Sequence, residues 1–285
     1  MILVTGAAGK TGRSIIRSLV AKGVTVRAFV HRREQVQTVE SLGASQTIVG
    51  DMCDRSTMER AVQGIRAIYH ICPNVSPDEV AIGQMAISAA QSANVEHFVY
   101  HSVLHPQIEA MPHHWHKMRV EEQLIQSGLP FTILQPSVYH QNLLTQWDQI
   151  LNQGIYAVPY SVETQLSMVD LLDVAQAATI VLTEPGHVGA MYELSGTHPL
   201  PQIEVAAILS QSLSRTVTAK SIPLDTWERE ARAAGLGSYQ IETLLAMFRH
   251  YDQYGLRGNA RVLEWLIGRP PTTISEFVDR ERLKR

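Results

Sequence analysis

Ile2-Leu3-Val4-Thr5-Gly6-Ala7-Ala8-Gly9-Lys10-Thr11-Gly12 opens the chain, and Ser14-Ile15-Ile16-Arg17-Ser18-Leu19-Val20-Ala21 follows it. The apolar triplet reads as a core strand, the glycines three apart as a turn, and the second segment as a helix. A turn without Cβ atoms lets the backbone come close to a pyrophosphate. The helix behind it aims unpaired N–H groups and its positive dipole end at the anion. The glycine spacing alone is weak evidence, so the flanking strand and helix carry the inference. Together they predict a nucleotide-binding βα turn built from Gly6, Ala7, Ala8, Gly9, Lys10, Thr11 and Gly12.

The same beat continues outward from this unit. Strand-like runs at 24–30, 46–50, 67–71, 97–100 and 131–134 alternate with helical segments ending near 42 and covering about 57–63, 78–93 and 116–127. Six β-branched runs separated by helices predict an α/β fold, a doubly wound parallel-sheet Rossmann fold covered on both faces. Ser56-x-x-Glu59 and Ser76-x-x-Glu79 have the capping-box form at two helix starts, and Gly23 and Gly128 sit where helices should stop.

Beyond Pro136 the rhythm breaks. Strand-like pieces at 156–158 and 191–194, a helix over 171–182 and a helical tail follow. Trp227, Met247, Tyr251 and Trp265 in that tail have spacings suited to core packing. The expected organisation is a nucleotide-binding core over 1–136, then remaining sheet elements and a smaller, mostly helical C-terminal lobe over 137–285. A cleft between core and lobe is the expected site for a small molecule.

Composition narrows the classes. With 285 residues, 45% apolar and 18% charged, the chain has the make-up of a globular protein with a sizeable core. A net charge of −3 without a basic stripe gives no reason to expect nucleic acid. No run of eighteen apolar residues and no basic-plus-apolar leader is present, so no membrane span is expected and the cytoplasm is the expected location. Two cysteines, Cys53 and Cys72, are too few for a disulfide framework and fit a reducing compartment.

Several side chains carry candidate chemistry. The second strand ends in His31, Arg32, Arg33 and Glu34. A carboxylate there would bind a ribose 2′-hydroxyl, whereas Arg32 or Arg33 can clamp a 2′-phosphate with charge-assisted bonds. NADP(H) is therefore expected, with Glu34 leaving NAD(H) as the alternative. Asp51, after the third strand, is placed to accept from the adenine amino group while Met52 covers the ring; the competing role is a helix-entry carboxylate, for which Asp54 is better placed.

The fifth strand ends at Ser102, and Lys117 follows fifteen residues later. A strand-end serine and a downstream lysine are parts of a hydride-transfer site, the lysine holding the nicotinamide ribose hydroxyls; otherwise Lys117 is a surface residue opening an amphipathic helix. His97, His101, His105, His113, His114 and His116 crowd this region, six of the twelve histidines. They lack a ligand spacing, and no metal is expected. Neither a Gly-x-Ser-x-Gly elbow nor a Cys-x-x-Cys pair exists.

Taken in order, Gly6-x-x-Gly9-x-x-Gly12, His31-Arg32, Gly50-Asp51, Lys117 with Val120-Glu121-Glu122, residues 129–134 with Pro136 and Asn142, residues 168–175, residues 192–196 and residues 268–273 resemble the NmrA-like family of atypical short-chain dehydrogenase/reductases. The likeness covers essentially the whole chain. It implies a Rossmann domain with a small C-terminal lobe. NAD(P) would be held at Gly6 to Thr11, His31 to Arg33, Asp51 and Met52, Ile71, Cys72 and Pro73, and Lys117, with Ser137, Val138 and Tyr139 beside the nicotinamide. Members of the family divide between reductases, including quinone and triphenylmethane-dye reductases, and redox sensors that regulate partners.

One departure bears on that division. Typical short-chain dehydrogenases carry a tyrosine, the general acid, four residues before the lysine, and here that residue is His113. Quinone-type acceptors can take hydride and then collect a proton from water or a loosely placed donor, so a reductase remains compatible with the change, whereas ordinary alcohol oxidation does not. The expected function is an NADPH-dependent reductase of a quinone-like or other conjugated acceptor. Lys117 orients the ribose, and Ser102, His113 or Tyr139 supplies polar contact or a proton. The alternative is a non-catalytic NADP(H)-sensing regulator that signals occupancy to a protein partner.

Overall fold

The computed structural model describes residues 1–284. Its main sheet contains β1 (Ile2–Val4), β2 (Val26–Val30), β3 (Gln46–Val49), β4 (Ala67–His70), β5 (His97–His101) and β6 (Phe131–Pro136). A seventh strand, Ala190–Leu194, lies beside β6, and the order across the sheet is Ala190–Leu194, β6, β5, β4, β1, β2, β3. The strands β1 to β6 pair in parallel, with Val4 opposite Ala28 on one side and Tyr69 on the other. The chain runs outward from β1 to β3 and then returns to place β4 against β1. That reversal leaves a crevice at the carboxyl ends of β1 and β4, where such sheets bind ligands.

Helices α1 (Lys10–Ala21), α2 (Val36–Glu40), α3 (Arg55–Val62), α4 (Glu79–Ser92) and α5 (Pro112–Gln126) connect the strands. Side chains alternate across a strand, so Leu3 joins Ile68, Phe98 and Ile133 in a cluster with Met58 of α3, Ile82 of α4 and Val120 of α5. Ile2 and Val4 are equally buried and belong to the opposite face. Helices α4 and α5 come close because Gly83 has no Cβ; one built there would stand 2.6 Å from a Val120 methyl.

Three local expectations change. Helix α5 begins at Pro112 instead of residue 116, because proline is tolerated in the first turn where its missing N–H has no partner to lose. Helix α3 is capped by Asp54, whose carboxylate accepts from Ser56 N and Thr57 N, and not by a Ser56–Glu59 box. At α4 the N-cap is Asp78, and Ser76 Oγ accepts from Asp78 N at 3.2 Å. Glu79 turns inward and is 1% exposed.

The chain forms two compact units: the first comprises Met1–Gln107, His113–Gln135 and Val174–Tyr192, the second Ile108–Pro112, Pro136–Asp173 and Glu193–Arg285. The segment from Val174 thus returns to the first unit after an excursion that starts at Pro136.

The second unit holds three short strand pairs among its helices: Val138–Tyr139 with Met168–Val169, Gln165–Leu166 with Leu200–Pro201, and Ile155–Val158 with Thr218–Ser221. Its main core gathers Trp147, Ile150, Tyr156, Val205, Leu209 and Phe277. Two sequence segments from the family-like set meet here. Asp173, fully buried, accepts from Arg269 Nη2 at 2.6 Å and from Thr272 N at 2.6 Å. Of the four tail residues expected in the core, Tyr251 is buried and Trp227 packs edge-on against Phe248 at 4.7 Å between ring centroids. Met247 is partly buried. Trp265 is 71% exposed and is not core: it lies on the outer face of its helix, whose inner face is taken by Leu263, Leu266 and Ile267.

Candidate functional site

Thr5, the residue after β1, ties the crevice together: its hydroxyl meets Ile71 N at 2.8 Å, Ile71 O at 3.0 Å and His70 Nδ1 at 3.0 Å. The chain then turns through Gly6 at φ +56°, a left-handed conformation in which a Cβ would also stand 3.0 Å from Ile71 O. A Cβ on Gly12 would lie 2.4 Å from Gly6 O and 2.7 Å from Ala7 Cα. No side chain can occupy that space without moving backbone. Helix α1 is preceded by Gly9, which offers no side-chain cap, so no side chain of its N-cap competes with an anion there.

Three stretches far apart in sequence meet beside this turn. A cavity of about 100 Å³ is bounded by Gly6 to Gly9, by Phe29 to His31 with Gln35, and by Gly50 to Met52. Gln35 shapes the tip of β2: its side-chain oxygen accepts from His31 N and Arg32 N, each at 3.0 Å, and turns the chain so that His31, Arg32, Arg33 and Glu34 are all exposed. Asp51 is exposed and accepts from Cys53 N at 2.9 Å, while Met52 is buried beside it. Helix entry is left to Asp54. Across the crevice Ile71 touches the glycine turn, Cys72 is buried and Pro73 is exposed.

Lys117 is not a surface residue. It is 5% exposed, and its Nζ donates to Glu79 Oε1 at 3.0 Å and to the carbonyl of His101 at 3.1 Å, 5.3 Å from the centre of the Tyr100 ring. Tyr100 also donates to Glu79 Oε1, at 2.8 Å. Burial opposes the ionisation of Glu79, but the Lys117 ammonium and the Tyr100 hydroxyl outweigh it and hold the carboxyl below its usual range. The Cys72 thiol is pushed up by burial and by Glu79.

His113 sits one helical turn before Lys117. Burial first, and the Lys117 charge second, lower its pKa to about 3. At neutral pH it is an uncharged imidazole and stores no proton. His101, whose Nδ1 is 2.7 Å from the Tyr69 hydroxyl, is lowered to about 3 by burial and then by Lys117.

Ser102 is committed elsewhere. Its hydroxyl donates to the carboxylate of Glu121, whose oxygens also accept from Gln135 Nε2 at 2.9 and 3.1 Å. Ser137, Val138 and Tyr139 belong to the second unit. There Ser137 N donates to Leu194 O at 3.1 Å, and Val138 and Tyr139 are half-buried in register with Met168 and Val169. Among the described residues no group of three or more His, Cys, Asp and Glu side chains is arranged to hold a metal, and no helix is long and apolar enough to cross a membrane.

Sequence reasoning missed Glu79 as a site residue. The signal was available: residues 80–95 contain no charged side chain, so α4 is apolar on nearly every side and a carboxylate at its mouth has an interior partner as the alternative to a cap. Gln35 left no comparable signal.

The geometry fits a dinucleotide: a backbone cradle that any Cβ would fill, an uncapped helix start and two exposed arginines beside a small cavity. The model of the NmrA-like family matches residues 1–280. The NAD(P)H azoreductase of Xenophilus azovorans is 29% identical over 279 residues, 97% of this chain and 96% of that one. Quinone oxidoreductase 2 of Escherichia coli strain K12 is 26% identical over 280 residues, 98% and 97% of the two chains. The crystal structure of an NADPH-dependent quinone oxidoreductase from Escherichia coli complexed with NADPH superposes with a TM-score of 0.86 at 26% identity, covering both chains completely.

Proposed function

We propose that this chain, which belongs to the NmrA-like family, is an NADPH-dependent reductase of quinone-like or other conjugated small molecules. The observation that carries the reading is the Gly6–Gly9–Gly12 cradle with Arg32 and Arg33 exposed at the next strand tip, in a chain aligned end to end with proteins named as an NAD(P)H azoreductase and a quinone oxidoreductase. No observation favours the regulator alternative.

NADPH, when bound, supplies the hydride. The chain's own residues do the rest. Gly6, Gly9 and Gly12 leave room for the pyrophosphate, and the first N–H groups of α1 bind its charge. Arg32 and Arg33 hold the 2′-phosphate, which would be repelled by carboxylates in their place. Asp51 accepts from the adenine amino group, with Met52 against the ring. Lys117 directs an N–H at the nicotinamide ribose.

The proton needed to complete reduction comes from water. His113 is neutral and its imidazole N–H is a weak acid, while the Ser102 hydroxyl is occupied by Glu121. A panel of quinones, azo dyes and aldehydes with NADPH, followed at the nicotinamide absorbance, tests the reading. Acceptor-dependent oxidation with quinones or azo dyes and little with aldehydes is expected. Tight NADPH binding without oxidation by any acceptor would contradict it and return the regulator.

A further inference from the structure

A lysine ammonium has three N–H donors and no acceptor. In Lys117 two are committed: one to Glu79 Oε1 at 3.0 Å, one to the His101 carbonyl at 3.1 Å. Both partners come from rigid elements, the first turn of α4 and the last residue of β5. Glu79 is in turn fixed by the Tyr100 hydroxyl at 2.8 Å, on the same strand. Nearly complete burial on both sides of the ion pair, 6% and 1% of side-chain area, makes this a built arrangement and not a surface pairing.

We propose that Glu79 is the positioning residue of the cofactor site: its carboxylate holds the Lys117 ammonium at the end of β5 with one N–H left over for a hydroxyl of the cofactor's ribose. This rests on the reading of Lys117 as a cofactor-holding residue and adds what fixes the direction of its N–H groups. The groups facing Lys117 are few. Tyr100 and His101 come from β5, His70 and Cys72 from β4 and its loop, Glu79 from α4, and His113 and Glu121 from its own helix. His70, His101 and His113 are held uncharged, Tyr100 and Cys72 are held protonated by burial, and the Glu121 carboxylate is engaged by Ser102 and Gln135. Glu79 is therefore the counter-charge in contact with the ammonium. Without it, the buried ammonium has no counter-charge and the third N–H loses its fixed direction.

The test is the dissociation constant of NADPH at neutral pH, measured by nicotinamide fluorescence for the wild type, Glu79→Gln, Glu79→Asp, Lys117→Met and the double variant Glu79→Gln, Lys117→Met. Glu79→Gln keeps the shape and removes the charge. It should weaken binding about tenfold, the scale of one charge-assisted hydrogen bond. In the Lys117→Met background the same change should add less than about twofold, because Glu79 acts through Lys117. Glu79→Asp keeps the charge on a shorter arm, so it should raise the constant less than Glu79→Gln does. A merely structural role would weaken binding alike in both backgrounds and overturns the proposal. If Lys117→Met weakens binding while Glu79→Gln keeps the wild-type constant, the proposal is overturned and the reading of Lys117 stands. If Lys117→Met binds as the wild type does, both fall. Should Glu79→Gln not fold, Glu79→Asp decides: wild-type affinity overturns the proposal.

Discussion

Arg32 and Arg33 have no structural duty that would explain two adjacent guanidiniums, since both lie exposed on a turn fixed by Gln35. Replacing both with glutamate should raise the NADPH dissociation constant about a hundredfold and leave that of NADH within about threefold, because two bidentate contacts to a phosphate become repulsive. Equal effects on the two cofactors in a binding titration would remove the 2′-phosphate role. His113 has the opposite profile. Its imidazole is uncharged at neutral pH, so His113→Phe should keep kcat within about threefold and leave the pH profile between 6 and 8 unaltered. A loss of two orders of magnitude in kcat would make it the proton donor after all.

At the scale of elements, the opening strand, turn and helix are held by backbone contacts that leave no tolerance for volume. Gly12→Ala would place a methyl 2.4 Å from the Gly6 carbonyl oxygen, and since neither atom is at the end of a flexible side chain, the turn must open. Overpacking of this kind costs about 1–3 kcal/mol. The variant should melt several degrees lower and bind NADPH at least tenfold more weakly. A variant that melts lower but binds normally would show that the cradle's shape is not what holds the cofactor.

This is also the scale at which the sequence was most legible. Apolar runs and period-3.6 patterns located the six parallel strands and their helices, most plainly at β1, β4 and β5, which are buried on both faces. Glu79 was misread, and Lys117 carried a surface role as its alternative, for one reason: side-chain destination depends on what lies across the sheet end. A glutamate three residues after a serine matches a cap, and a lysine near a helix start matches a solvated face, until α4, β5 and α5 are brought together. Ser102 was legible in position and not in partner, since Glu121 and Gln135 approach it from two other elements.

Over the whole molecule, buried histidines set the response to acid. His70 and His97 are lowered to about 4 and His101 to about 3, in each case chiefly by burial. A base whose folded pKa lies below its unfolded value of about 6.5 is protonated first in the unfolded chain. Its contribution to stability is complete above about pH 6.5 and declines as pH falls toward the folded pKa, by up to about 1.4 kcal/mol per pH unit for each fully buried ring. Glu79, whose carboxyl is held low, contributes above its unfolded pKa and is lost only at more acid pH. The melting temperature should therefore drop by several degrees between pH 7 and pH 5. A flat profile over that interval would contradict the burial of these rings.

The interleaving of the two units was not legible in the sequence. The rhythm of the opening half stops at Pro136, yet Val174–Tyr192 belongs to the first unit, because a helix and an edge strand that complete a sheet look locally like any others. The meeting of residues 168–175 with the terminal Arg269-to-Thr273 segment has a plain cause in Asp173, whose buried carboxylate takes the Arg269 guanidinium and the Thr272 N–H.

The proposed role of the cradle and its arginines is to select NADPH for turnover. The most direct measurement is the ratio of kcat/KM for NADPH to that for NADH with one accepted quinone. A ratio of ten or more in the wild type, collapsing toward one or below in the double Arg32→Glu, Arg33→Glu variant, is the predicted result. A wild-type ratio at or below one, or a ratio the double variant leaves unchanged, would contradict it.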